Sequence, residues 1–145
     1  MLESTAAPDR RRALALLFLR ITIGLLLVWW GIDKFRDPAH GAKVAEKFYL
    51  GLGTGSAAVA AAGVLELLVG AAVILGVLRR FAYPAMIFVT AATAVGVWRS
   101  VLDPWGLWLE GTVVLFYPSI IVLAGAVVLW VFRSDDQLRV GAEAA

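Results

Sequence analysis

Cysteine is absent from the 145-residue sequence, and histidine occurs once, as His40. Without cysteine the chain cannot form a disulfide, a thiol relay, a zinc–thiolate site or a cysteine-ligated iron–sulfur cluster. A single histidine in a polar connection cannot supply both axial ligands of a haem. We therefore expect no metal site, and a redox role would need an organic carrier such as a quinone, or a partner that holds the cofactor.

Charge is also sparse, because only 17% of the residues are charged while 61% are hydrophobic. The apolar residues form blocks of about 20, the length that crosses the ~30 Å hydrocarbon core of a bilayer. Lysine and arginine flank these blocks instead of forming a basic face, which argues against nucleic-acid binding. The pattern predicts an all-α integral membrane four-helix bundle, up-down-up-down, in a lipid bilayer.

The four predicted spans form a single domain over residues 13–132. They cover residues 13–35, 57–78, 81–99 and 112–132, with connections at 37–56 and 100–111 and polar tails at 1–12 and 133–145. Charged and apolar residues in the first connection alternate at helical spacing, which suggests a short amphipathic helix; a solvated loop is the alternative. In the fourth span, Tyr117-Pro118 predicts a kink.

Four spans place both termini on one side of the membrane. Arginines lie close to the span ends on that side and fill the short turn Arg79-Arg80, so the positive-inside rule predicts that both tails are cytoplasmic. The amino-terminal arginines resemble the start of a signal peptide. The apolar block that follows is too long for one and lacks a small-residue cleavage site, so we predict a retained first span.

The first span carries a stripe of special residues on one helical face: Arg20, Gly24, Leu27, Gly31 and Lys34. Glycine lets a neighbouring backbone approach closely, and an arginine within hydrocarbon must face protein or water. We expect this face to pack against the other spans. Trp29, on the opposite side, should face lipid.

The second span has a matching face, with Glu66 near its centre between Gly63 and Gly70. These two glycines and the two in the first span are the predicted helix-packing residues. Glu66 and Arg20 are predicted to differ in depth by only about 6 Å, which is within the reach of an arginine and predicts a buried Arg20–Glu66 pair.

Three interpretations of these charges stay open. The pair fixes helix register and binds nothing. Alternatively, one or both of Arg20 and Glu66, with Lys34 beside them, line a polar cavity for a quinone head group or a proton. In the third interpretation Arg20 extends to the membrane boundary and Glu66 is protonated. No residue is identified as catalytic.

Two segments together resemble the DoxX family of small four-helix membrane proteins. The first is the pattern LR-x3-G-x6-G-x2-KF, carried by Leu19-Arg20, Gly24, Gly31 and Lys34-Phe35; the second is the glutamate-centred span with Gly63, Glu66, Gly70 and Gly76. Members often have a histidine just before the second glycine of the first pattern, where this chain has Trp30. That difference removes a candidate ligand or proton carrier.

The resemblance implies an accessory or anchor subunit of a membrane-associated, quinone-linked oxidoreductase system in a bacterial-type plasma membrane. Such a subunit would lack catalytic activity alone and would bind a soluble or membrane redox enzyme. The alternative is a non-catalytic scaffold or assembly factor with a purely structural Arg20–Glu66 pair. A small transporter is disfavoured because the sequence shows no inverted repeat. Homo-oligomerisation stays open.

Overall fold

The computed structural model describes residues 10–48 and 50–141, and within these ranges the chain is helical, with no strand. The helices are α1 (Arg10–Arg36), α2 (Pro38–Phe48), α3 (Ser56–Leu75), α4 (Arg79–Gly96), α5 (Trp98–Leu102) and α6 (Pro118–Val131), with a 3₁₀ turn at Val114–Phe116. The outer parts of both predicted tails, 1–9 and 142–145, lie outside the described residues.

Three helical stretches of the described chain are long and apolar enough to cross a membrane: Arg10–Arg36, Ser56–Leu75 and Val114–Val131. Helix α4 is not among them, because it opens with Arg79 and Arg80 and carries Tyr83 and two threonines in only 18 residues. The chain is therefore an all-helical membrane protein with several candidate spans. The predicted up-down-up-down bundle needs four spans, of which α4 would be the third in chain order, and it stays a prediction.

Several predicted helix ends move. Helix α3 ends at Leu75, earlier than expected, because Gly76 adopts a left-handed conformation (φ 69°) and its N–H caps the helix at the Ala72 and Val73 carbonyls. The third helix starts and ends earlier than predicted, and a break at Val97 separates it from α5. Pro118 does not kink a helix but begins α6, where its missing N–H costs little.

The first connection contains the short helix that its residue spacing suggested. Helix α2 covers Pro38–Phe48 and contacts both α1 and α3. Phe48, the last residue of α2, packs edge-on against Phe116 in the 3₁₀ turn, with ring centroids 5.2 Å apart. The connection between α1 and α3 therefore covers one end of these helices and contacts the turn that precedes α6.

Helices α1 and α3 pack with their backbones in contact, because glycines of the two helices face each other at the interface. A Cβ atom added to Gly70 would lie 2.7 Å from the Gly24 carbonyl oxygen, and one added to Gly31 would lie 2.8 Å from the Gly63 carbonyl oxygen. These distances are too short for any side chain, so the two backbones touch at both levels. The helices are antiparallel, with Gly24 beside Gly70 and Gly31 beside Gly63.

The remaining core joins α4 and α6 to this pair. Leu27, Val73, Tyr83, Met86 and Leu129 are fully buried there. Trp29 is 63% exposed, in agreement with its predicted outward position.

The segment 133–141, expected to be part of a polar tail, folds back across the end of the bundle. The Val140 N–H donates a hydrogen bond to the Leu75 carbonyl (3.0 Å), and the Asp136 side chain is completely buried. We call residues 133–141 the strap.

Candidate functional site

Arg20 lies in a buried polar cluster at the end of the bundle that the strap covers. We define the Arg20 cluster as Arg20, Arg79, Tyr83 and Asp136. The Arg20 Nη1 atom donates to Asp136 Oδ1 at 2.7 Å, and its Nη2 donates to the Leu138 carbonyl. The Tyr83 hydroxyl donates to the other carboxylate oxygen of Asp136. Arg79 Nη1 lies 3.9 Å from that oxygen and donates to the Asp136 carbonyl at 2.9 Å.

A second ion pair, Lys34–Glu66, lies nearer the opposite end of the bundle. The Lys34 Nζ atom donates to both carboxylate oxygens of Glu66, at 2.9 and 2.7 Å. The two side chains are 23% and 10% exposed, so the pair is accessible where Arg20 and Asp136 are not. One residue before Lys34, Asp33 forms a 2.7 Å contact with His40 Nδ1 on the surface.

The predicted Arg20–Glu66 pair is wrong, because each residue has a different partner. The glycine contacts place Glu66 roughly level with Val28, so Arg20 lies about 12 Å away along α1 at 1.5 Å per residue. Side chains on a helix also lean toward its N-terminus. Arg20 therefore extends away from Glu66, while Lys34 and Glu66, on antiparallel helices, lean toward each other.

The three predicted site residues therefore divide between two places. Lys34 and Glu66 come together, while Arg20 joins Asp136, which the sequence reasoning missed. The signal available in the sequence was the acidic pair Asp135-Asp136 directly after a span end, on the same side as the N-terminal half of α1. It was overlooked because two aspartates in a charged terminal segment normally face solvent.

A cavity of about 770 Å³ lies between α1, α2, α3, α4 and α6 and contains the Lys34–Glu66 pair in its wall. Most of its lining is aromatic or aliphatic, including Trp30, Phe48, Phe88, Leu115, Phe116 and Val122. Arg20 and Asp136 do not line it. The two ion pairs therefore differ in their surroundings as well as in their position: Lys34–Glu66 borders a cavity, and Arg20–Asp136 does not.

One residue of the cavity lining, Ser119, carries a hydroxyl that makes no hydrogen bond in the described part of the chain. Among the described residues, the buried Ser119 Oγ atom has no hydrogen-bond partner, whereas the Thr93 hydroxyl donates to the Val89 carbonyl at 3.0 Å. A buried hydroxyl without a partner costs free energy unless something else satisfies it. Lys34, Glu66 and Ser119 are thus polar residues in the wall of a largely apolar cavity, whose lining also includes Asp33, His40, Lys43, Lys47 and Thr93. Sequence reasoning had not singled out Ser119.

The second connection is organised around Asp103. Its carboxylate accepts hydrogen bonds from the backbone N–H groups of Leu107, Trp108 and Leu109 at 2.7–2.9 Å. Burial by itself would raise the pKa of Asp103, but these backbone donors outweigh it and hold the pKa below its ordinary value. The loop presents Trp105 and Trp108, 77% and 81% exposed, as expected for residues at the membrane interface.

In the part of the chain that the structure describes, no group of three or more histidine, aspartate or glutamate side chains is arranged to hold a metal ion.

The DoxX family model matches residues 15–99, which is more than half of the chain. This protein belongs to the DoxX family. No curated protein and no solved structure matches it. The matched segment contains Arg20, Lys34 and Glu66 but ends before Ser119 and Asp136. The cavity wall formed by α6 and the strap over Arg20 are therefore features of this DoxX chain outside the matched segment.

Proposed function

We propose that this DoxX protein is an accessory membrane subunit that binds a quinone in the cavity and holds it for a partner oxidoreductase. The observation that carries the proposal is the cavity itself, with its apolar lining, the Lys34–Glu66 pair and the unpartnered Ser119 hydroxyl. The partner enzyme is inferred from the family resemblance. Catalytic activity by the isolated subunit is not part of the proposal.

The cavity fits such a ligand in volume and in chemistry. Small-molecule sites usually enclose about 300–1,000 Å³ and combine apolar walls with a few polar groups. Trp30, Phe48 and Phe116 offer surfaces for an aromatic ring and an isoprenoid chain. A bound quinone would supply two-electron, two-proton redox chemistry.

The polar groups of the chain would orient the ring. Quinone carbonyl oxygens only accept hydrogen bonds, and the Lys34 ammonium and the Ser119 hydroxyl are donors. Glu66 holds the Lys34 ammonium at the cavity wall through its two short contacts. Trp30 stands where members of the family often have histidine, and the proton-exchanging side chains that line the cavity include the Lys34–Glu66 pair and the Asp33–His40 pair.

Quinone binding to the purified protein in nanodiscs tests the proposal. A short-chain quinone is titrated and its occupancy is measured by native mass spectrometry. Ser119→Ala should weaken binding about threefold to tenfold, the value of one net hydrogen bond. Lys34→Met should weaken it more, because a charged donor is lost and the Glu66 carboxylate is left unpaired.

Thr22→Val is the matched control for Ser119→Ala. It also removes a helix hydroxyl, but Thr22 is exposed and bonds only to the Phe18 and Leu19 carbonyls of its own helix. The quinone affinity of this variant should equal that of the wild type. Absence of saturable binding, or equal affinities for the wild type, Ser119→Ala and Lys34→Met, would exclude the cavity as the site.

A second candidate function is a scaffold or assembly factor. It is favoured by one observation, that the charges of both ion pairs already have partners within the chain. In that case a specific protein would copurify with this chain in stoichiometric amount, without quinone, and Glu66→Gln would not change the yield of the partner. For either function we infer cytoplasmic termini from the distribution of arginine, and a bacterial-type plasma membrane from the family resemblance.

A further inference from the structure

The strap is attached mainly by polar contacts. Its apolar side chains stay largely outside the core, since Leu138 is 41% and Val140 is 62% exposed. Asp136 supplies the buried contact, and Asp135 forms a second, exposed ion pair with Arg12 at 3.0 Å. Because so little apolar area holds the strap, its attachment depends on polar contacts: the buried Asp136 carboxylate and hydrogen bonds between its backbone and Arg20, Arg79 and Leu75.

Without the strap, the same place would be an anion-binding site. Two guanidinium groups, from Arg20 and Arg79, and the Tyr83 hydroxyl converge on the position of a single carboxylate. The two cations face one anion, so the cluster carries excess positive charge. The Arg20 Nε atom is buried with no hydrogen-bond partner among the described residues, which leaves one further donor unused.

The cluster also lies at the membrane boundary. The Arg20 guanidinium reaches the turn between α3 and α4, since a Cβ added to Gly76 would lie 2.7 Å from Arg20 Nη1. Helix α3, a candidate span, ends at that turn. Lipid phosphates are the anions concentrated at this depth, and two phosphate oxygens can accept the donors that a carboxylate accepts.

We propose that Arg20, Arg79 and Tyr83 form a binding site for the phosphodiester group of an anionic lipid, and that Asp136 occupies this site from within the chain. The lipid headgroup and the strap exclude each other. Membranes rich in anionic lipid therefore release residues 133–141 from the end of the bundle, and neutral membranes keep them attached. This inference does not depend on quinone binding.

The absence of cysteine makes the test direct. Spin labels on Val140→Cys and Phe81→Cys, both at exposed positions, report the distance between the strap and α4 by pulsed electron paramagnetic resonance. Nanodiscs of phosphatidylcholine should give one short-distance population, because the phosphodiester charge of this lipid is balanced by the choline cation of the same headgroup. Nanodiscs containing phosphatidylglycerol should give a second, longer-distance population, at least about threefold larger than any such population in phosphatidylcholine.

Two substitutions separate the site from the rest of the strap. Asp136→Asn removes the charge of the internal occupant and should increase the released fraction further at each phosphatidylglycerol content. Asp135→Asn is the matched control, because it removes only the exposed ion pair with Arg12 and should leave the released fraction nearly unchanged. Should Asp136→Asn fail to fold, Arg79→Gln provides the test: the released fraction should then respond less than half as much to phosphatidylglycerol.

The proposal is overturned if the distance distribution is the same in both lipids, or if Asp135→Asn and Asp136→Asn have equal effects. An undiminished response of Arg79→Gln also overturns it. Inorganic phosphate added to phosphatidylcholine nanodiscs distinguishes the source of the anion. Release by phosphate alone, to the extent caused by phosphatidylglycerol, would reject the lipid headgroup as the ligand.

Discussion

The two ion pairs on α1 differ in what surrounds them. At one end, Arg20 and Asp136 are almost completely buried, and the strap supplies both the partner and the cover. Nearer the other end, Lys34 and Glu66 stay partly exposed in the wall of an apolar cavity that also contains an unpartnered hydroxyl. A charge at membrane depth is thus not by itself evidence of a small-molecule site; the open space beside Lys34 and Glu66 distinguishes the second pair from the first.

The largest expected effect is the difference in stability between breaking the two pairs. Where the strap stays attached, Arg20→Met leaves the Asp136 carboxylate buried without its closest cation and should lower the free energy of unfolding by about 3–5 kcal/mol. Lys34→Met leaves Glu66 beside a cavity that water can enter, so we expect a smaller loss, roughly 1–3 kcal/mol, between the values of surface and buried pairs. Unfolding by sodium dodecyl sulfate in mixed micelles, followed by circular dichroism, measures both.

Arg12→Ala is the control for charge alone. The Arg12 and Asp135 side chains are 59% and 28% exposed. Loss of this exposed pair should cost less than about 1 kcal/mol. A cost for Lys34→Met equal to or greater than that for Arg20→Met would contradict the comparison, because the accessible pair would then be the more important one for folding.

The glycine contact between α1 and α3 should give the next largest effect. Gly70→Ala places a methyl group 2.7 Å from the backbone oxygen of Gly24, so the helices must separate, at a cost of about 1–3 kcal/mol. Gly125→Ala is the matched control, because its added methyl group meets only the ends of the Ile23 and Leu19 side chains, at 3.0 and 3.2 Å, and both can move. Thermal unfolding in detergent compares the two; equal midpoints would show that the close contact is not needed.

Double-mutant cycles sharpen the comparison by assigning partners. Lys34→Met with Glu66→Gln should show a coupling energy of about 1 kcal/mol or more, since the residues share two short contacts. Arg20→Met with Glu66→Gln should be additive within about 0.5 kcal/mol, as for distant sites. The unfolding titration used for the single substitutions supplies these values. Strong coupling of Arg20 to Glu66 would restore the pair that the sequence suggested.

Much of the fold follows from the sequence because membrane helices are constrained strongly. Long apolar blocks identify α1, α3 and α6, and the stripe on α1 indicates the face that packs. The family was recognisable from the same glycine and charge pattern. Less certain was α4, whose arginines and polar residues make its membrane span a prediction that length and composition do not establish.

The partners of the charged residues were harder to predict. The Arg20–Glu66 pair was inferred from depth, but an offset of a few residues between two helices changes depth by about 1.5 Å per residue. That offset is set by Gly24 beside Gly70, which needs the three-dimensional contact. Asp136 was missed because an irregular segment has no periodicity to read, and Ser119 because a hydroxyl becomes informative only when its lack of a partner is seen.

The smallest expected effect concerns the loop around Asp103. Its pKa is depressed in the folded protein, so its contribution to loop stability is present above the ordinary value of 3.8 and is lost as pH falls through the lower, folded value. Protection factors of the Leu107, Trp108 and Leu109 amides should therefore fall between about pH 6 and about pH 3. Asp103→Asn should show weak protection at both; protection that is the same at both pH values in the wild type would contradict this account.

The central claim is that the Lys34–Glu66 cavity, and not the Arg20 cluster, is the small-molecule site. Photo-crosslinking with an azidoquinone in native membranes, followed by peptide mass spectrometry, tests it most directly. We expect labelled peptides that contain Trp30 or Ser119, and loss of that labelling in Lys34→Met. Labelling confined to residues 133–141, or no labelling that excess quinone can displace, would contradict it.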